Sequence, residues 1–310
     1  TLMKKKYIFQ IIFSLAFLGL LTKIFFSEND KIRSLNSLMS MDGFNLLLLL
    51  IILNLSVSFL FFHILKTCSQ RKVDFIQISS TFLQGGIVNQ IIPGSGVVYK
   101  YFKYKSEVNI NIAEYSSSQL IFYIERILAY LLLSVLLGFI TIVSFNANLI
   151  LFIIFTIFSV GLVFFIRRKD ILKFINKLIR NYEKLKEIAS EYSKIKKVIK
   201  DNFIYFILIF VLFLMQAILE CIIFSHVFQI YEHDIDFEIS SLLWMTSSLV
   251  TILSFVNFFG FFEIVFAYSS TFFDEKFLDI MIMVFGFRVM NLLSQIVIII
   301  LFNCYKLINK

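Results

Sequence analysis

Four ionisable side chains lie in stretches too apolar to welcome them. They are Glu125 and Arg126 in Tyr123-Ile-Glu125-Arg126-Ile-Leu, Glu263 in Gly260-Phe-Phe-Glu263, and Arg288 in Phe287-Arg288-Val-Met-Asn. Charges at membrane depth are costly, and they usually face a partner or a water-filled cavity. Two acids and two arginines in such settings suggest a polar chamber. Arginine suits a phosphate there, because its planar fork offers paired donors and never loses its charge. The same four residues read equally well as ion pairs, Glu125 with Arg288 or Glu263 with Arg126. Either reading gathers them in one place. Gln119, Gln216, Glu220, Asn257, Asn291 and Gln295 are their polar companions.

A second signal is a break in the backbone. The single proline, Pro93, stands in Asn89-Gln-Ile-Ile-Pro93-Gly94-Ser95-Gly96, within an otherwise apolar stretch. Interrupted backbone inside a membrane is tolerated only where protein or a wet cavity satisfies the freed peptide groups. Asn89, Pro93, Gly94 and Gly96 are therefore candidate site residues, and Asn257 and Gly260 are their counterparts in a later segment. Other chemistries find little support. Glu232-His233-Asp234-Ile-Asp236-Phe-Glu238 has metal-ligand types but reads as a short acidic external loop. Cys68, Cys221 and Cys304 show no Cys-x-x-Cys spacing. Gly85-Gly86 and Gly94-x-Gly96 have no Gly-Lys-Ser/Thr beside them. The expectation is a protein with no metal, no cofactor and no enzymatic nucleophile.

The elements that must position these residues are membrane helices. Apolar residues make up 59% of the chain, with a mean hydropathy of +0.87. They fall into blocks of about 20, the length that crosses a hydrocarbon core of ~30 Å. The blocks run from Tyr7 to Phe26, Phe44 to Leu65, Gln119 to Val143, Leu149 to Ile166, Phe203 to Ile230 and Ile280 to Asn303. Lys4-Lys5-Lys6 precedes the first block, but no small-residue cleavage site follows, so it reads as a retained span. Basic residues at Lys66 to Lys72, Lys100 to Lys105, Arg167 to Lys200 and Lys306 mark the inner face. Phe75 to Val98 starts and ends on that face. Ile239 to Phe273 starts and ends on the acidic outer face. Each reads as a re-entrant hairpin.

The fold expected is thus an all-α integral membrane domain over 1–310, with about six spanning helices and two re-entrant broken-helix hairpins. Its two halves form an inverted-topology repeat, a plan in which broken helices meet near the midplane. Asn89 to Gly96 then echoes Asn257 to Glu263, and Ile124-Glu-Arg126 echoes Phe287-Arg288. Both termini are expected in the cytoplasm. Over 167–202, Ile171, Ile175, Leu178, Tyr182, Leu185, Ala189, Tyr192, Ile195 and Ile199 form one apolar stripe among basic residues. This predicts a cytoplasmic amphipathic helix, as a membrane-surface element, a docking arm or a solvated linker. The net charge of +8 is concentrated there, with twelve Lys or Arg from Arg167 to Lys200. That distribution argues for topology and against a nucleic-acid partner.

With these positions in hand, the chain resembles the transmembrane, flippase-like domain of lysylphosphatidylglycerol synthases and its stand-alone relatives. The resemblance rests on Asn89-x-x-Ile-Pro93-Gly94-x-Gly96 with Lys100, on Glu125-Arg126-Ile-Leu, and on Gly260-Phe-Phe-Glu263 followed by Arg288. Phe262 stands where the family motif has an arginine, and Val97-Val98 where it has a glutamate. The resemblance implies handling or translocation of a phospholipid or lipid-linked amphiphile in a bacterial cytoplasmic membrane. It does not imply aminoacyl transfer, which belongs to a separate soluble domain. A proton-coupled solute transporter and a scaffold for envelope-biosynthesis enzymes fit the same architecture.

Overall fold

The computed structural model describes residues 41–91, 95–144, 201–231, 235–253 and 277–308. Within them are seven helices: α1 (Met41–Ser69), α2 (Phe75–Ile91), α3 (Ser95–Val108), α4 (Ile112–Ser144), α5 (Phe203–Ile230), α6 (Phe237–Leu253) and α7 (Phe277–Ile308). The described chain is entirely helical, as an apolar chain must be if its peptide groups are to be satisfied away from water. α1, α4, α5 and α7 are long and apolar enough to cross a membrane. The protein is an all-α membrane protein. The expected first and fourth spans, Pro93, Gly94, Asn257, Gly260, Glu263 and residues 167–200 of the amphipathic stretch 167–202 lie outside the described residues.

Local chemistry sets the helix ends. α1 begins with Asp42 and ends with Lys66, each charge complementing its end of the helix dipole. It stops at Gln70, whose left-handed backbone (φ 53) lets its N–H bond the Lys66 carbonyl at 3.0 Å. Asp74 then caps α2, its carboxylate accepting from the Gln77 N–H at 2.9 Å. α3 stops at Asn109, also left-handed (φ 57). A capping box opens α4: the Glu114 N–H bonds the Asn111 side chain at 2.8 Å and the Asn111 N–H bonds Glu114 at 2.9 Å.

α2 and α3 pack against each other as a helical hairpin, which bears out the break at Asn89 to Gly96. At about 26 and 21 Å, neither arm is long enough to cross a ~30 Å core. Their backbones cross where side chains are missing. A Cβ on Gly96 would fall on the carbonyl oxygen of Gly85 and lie 2.6 Å from the Asn89 Cβ. A Cβ on Gly85 would collide with the aliphatic chain of Lys100. At the basic end, Arg71 ties the hairpin shut, donating to the Asn109 carbonyl at 2.6 Å and pairing with Glu114 at 3.3 Å.

Two halves of matching design emerge. A long helix, a shorter one and another long one recur in order, as α1, α2 and α4 and again as α5, α6 and α7. One shift in sequence carries the start of α2, Phe75, to that of α6, Phe237. Packing follows the same rule. α1 lies against α2 and α7, and α5 lies against α6 and α4. The matched helices α1 and α5 meet centrally and run antiparallel, so that His63 late in α1 reaches the Tyr205 hydroxyl early in α5, 2.8 Å away.

Two aromatic-rich cores fill the bundle. One is built on Phe61, Phe122 and Phe213, the other on Phe224, Trp244 and Phe287. Trp244 stacks on Phe224 at 4.3 Å between ring centroids, and Phe122 meets Phe213 edge to face at 5.3 Å. Such pairs add about 0.5–1.5 kcal/mol each beyond area burial.

Candidate functional site

Glu220, in the middle of the strongly apolar α5, is the centre of the site. Its side chain is 2% exposed, and donors from three helices converge on it. Arg126 of α4 donates from Nη2 to Oε1 at 3.1 Å, and Gln216, one turn earlier on α5, donates to the same oxygen at 2.8 Å. Trp244 of α6 donates from Nε1 to Oε2 at 3.0 Å, and the Tyr130 hydroxyl donates to that oxygen too. A carboxylate has about four acceptor positions. Four donors therefore fill it.

Arg126 is held from two sides. Its Nε donates to the Tyr130 hydroxyl at 2.8 Å, and its guanidinium carbon lies 5.0 Å from the centre of the Tyr130 ring. Tyr130 sits one turn along α4, the spacing at which helical side chains meet. Among the described residues Nη1 of Arg126 has no hydrogen-bond partner, and 26% of the side chain is exposed. A charge so anchored is a fixed donor with one edge to spare.

A neutral node occupies the matching place in the other half. Asn54 of α1 donates to Asn291 Oδ1 at 2.7 Å and Ser294 Oγ at 2.8 Å, both on α7. Gln295 of α7 donates back to Asn54 Oδ1 at 3.3 Å and packs against Gly86 of α2. The shift that carries the start of α2 to that of α6 also carries Asn54 to Gln216 and Phe82 to Trp244. Each node is thus built from a central helix, the shorter helix that follows it, and the last long helix of the other half.

Among the described residues the acid beside Arg126 is not one of those expected. Arg126 takes Glu220 as its acid, and Glu125 makes no ion pair with Arg288 among the described residues. Glu125 and Arg288 are half-buried on α4 and α7. Asn89 and Gly96 come together at the hairpin crossing and not at the Arg126 node. Tyr130, Trp244 and Asn54 were not singled out by sequence. Tyr130 carried a usable signal, its four-residue spacing from a buried arginine.

A family model for the lysylphosphatidylglycerol synthase TM region matches residues 7–299. The chain belongs to that family. No curated protein and no solved structure matches it. Membership brings a lipid-related role in a membrane. Among the residues on which the family resemblance was built, Arg126 belongs to the charged node and Lys100 to the hairpin. Lys100 is only 7% exposed, with its ammonium 4.7 Å from the Phe82 ring centre and 5.9 Å from that of Phe61. The cation is held against aromatic faces, an arrangement that strengthens as water is excluded.

Proposed function

We propose that this protein moves or presents an amphiphile with an anionic headgroup between the leaflets of a bacterial cytoplasmic membrane, with Arg126 as the phosphate grip. One observation carries the reading. An arginine in a membrane helix is locked by Glu220 and Tyr130 through Nε and Nη2, while Nη1 keeps its donors. Locking removes the entropy that a free arginine would lose on binding, and the low dielectric strengthens its hydrogen bonds to phosphate oxygens. Glu220 in this reading is a positioning residue. Arg288 gives a second positive position on α7, while Glu125 and Glu263 face cationic parts of the headgroup. Asn257, Gly260, Pro93 and Gly94 shape the hairpin tips around the path. Both termini lie in the cytoplasm, no cofactor takes part, and an envelope-biosynthesis enzyme is the natural protein partner. The role is that of a transporter, with no covalent chemistry.

Mass spectrometry of lipids retained by the purified protein tests this, comparing wild type with the double Arg126→Ala, Arg288→Ala variant. The expected result is an anionic or polyprenyl-linked lipid held in larger amount by the wild type than by the variant. Bulk lipid alone in both would overturn the phosphate grip.

A further inference from the structure

We propose that the outer face of the α2–α3 hairpin is a binding site for one anionic phospholipid of the cytoplasmic leaflet, its phosphate at Lys103 and an acyl chain along Val98 and Phe102. An open cleft of about 810 Å³ runs there, walled by Val88 of α2 and by one stripe of α3 from Ser95 to Ser106. The stripe follows helical spacing: Val98 and Phe102 are one turn apart and both are exposed. From Ser95 to Ser106 the helix rises about 16 Å, the depth of one leaflet of a ~30 Å core. An acyl chain lying along it would reach from the basic end of α3 to the hairpin tip.

The cation is built into the wall. Lys103 donates to Gln84 Oε1 of α2 at 2.5 Å and to the Tyr99 hydroxyl at 3.4 Å, and Tyr99 itself donates to Gln84 at 2.8 Å. Both hydrogen-bond acceptors are neutral. Glu107 is 3.8 Å away, beyond hydrogen-bond distance, and it also accepts from Gln77 at 3.3 Å. An ammonium has three donors, so one remains for a phosphate oxygen. Lys100 and Lys105 leave α3 net positive against the single acid Glu107. A merely lipid-facing stripe needs neither a cleft nor a cross-linked cation. The basic end of α3 is on the inner face by the charge bias of the flanking loops, which assigns the leaflet. The site does not depend on the Arg126 node.

The test uses the full chain in nanodiscs of equal dioleoyl-phosphatidylglycerol and dioleoyl-phosphatidylcholine, with native mass spectrometry of the lipids that remain bound. Wild type should hold one phosphatidylglycerol in preference to phosphatidylcholine. Lys103→Gln should lower that preference about fivefold, the scale of one lysine near an anionic surface, and Lys103→Arg should keep it. Val98→Trp, which fills the cleft and leaves the cation, should expel the lipid. Arg126→Ala should leave this lipid in place, which separates the site from the proposed phosphate grip. Equal retention of the two lipids by wild type, or an unchanged preference in both Lys103→Gln and Val98→Trp, would overturn the proposal.

Discussion

The Arg126–Glu220 node and the Asn54–Asn291 node occupy matching places in the two halves, yet the first is an ion pair and the second is made of amides and a hydroxyl. Both join a central helix to the last long helix of the opposite half, and both touch the shorter helix that follows the central one. Scaffold geometry alone therefore does not require a charge, since the neutral node does the same joining with Asn54, Ser294 and Gln295. Replacing a buried ion pair by apolar residues often costs nothing or even stabilises. The charge on one side points to a task beyond holding helices together.

Removing the acid should break the comparison most sharply. Glu220→Leu leaves Arg126, Gln216, Tyr130 and Trp244 without their shared acceptor, and should cost about 3–5 kcal/mol. Urea or thermal unfolding in detergent, followed by helical circular dichroism, would measure it. A second substitution tests whether the nodes are interchangeable. Asn291→Arg places a cation in the neutral node, where no acid stands among the described residues, and should destabilise by about 3 kcal/mol. A neutral outcome there would mean that the second half already holds a hidden counter-charge.

Smaller changes sharpen the contrast. Trp244→Phe gives α6 a ring like its counterpart Phe82 and removes one donor from Glu220, so a loss of about 1.5–3 kcal/mol is expected. Asn54→Leu deletes the hub of the neutral node and should cost only about 0.6–2 kcal/mol, the range of interhelical polar contacts in membranes. If Asn54→Leu proved as damaging as Glu220→Leu, the asymmetry would be one of composition only. The pair Arg126→Met with Glu220→Met is the decisive companion. Stability near wild type with loss of the retained anionic lipid would assign the charge to binding.

Much of the fold was legible because hydropathy and charge act through length and position. The block lengths announced the four spans among the described residues, and Lys66 to Lys72 with Lys100 to Lys105 announced that the chain between them turns back. The site was less legible. Arg126 stood out as a charge in an apolar run, but its partner Glu220 ranked only among polar companions. Nothing in a sequence says which helix faces which. Asn54 and Trp244 were invisible because single amides and indoles are common in membrane helices. Which residue of α7 answers Arg126 was not legible either, because short apolar motifs carry little register information.

The crossing of Gly85 and Gly96 makes the hairpin a ruler. With backbone resting on backbone and Arg71 closing the far end, the number of residues between clamp and tip is fixed, whatever side chains they bear. One inserted residue between Gln77 and Gly85 would rotate everything beyond it by about 100°. Gly85 would turn away from Gly96, and Gly86 away from Gln295. In a library of variants read out for folding, substitutions on these arms away from Gly85 and Gly96 should be far better accepted than single insertions and deletions.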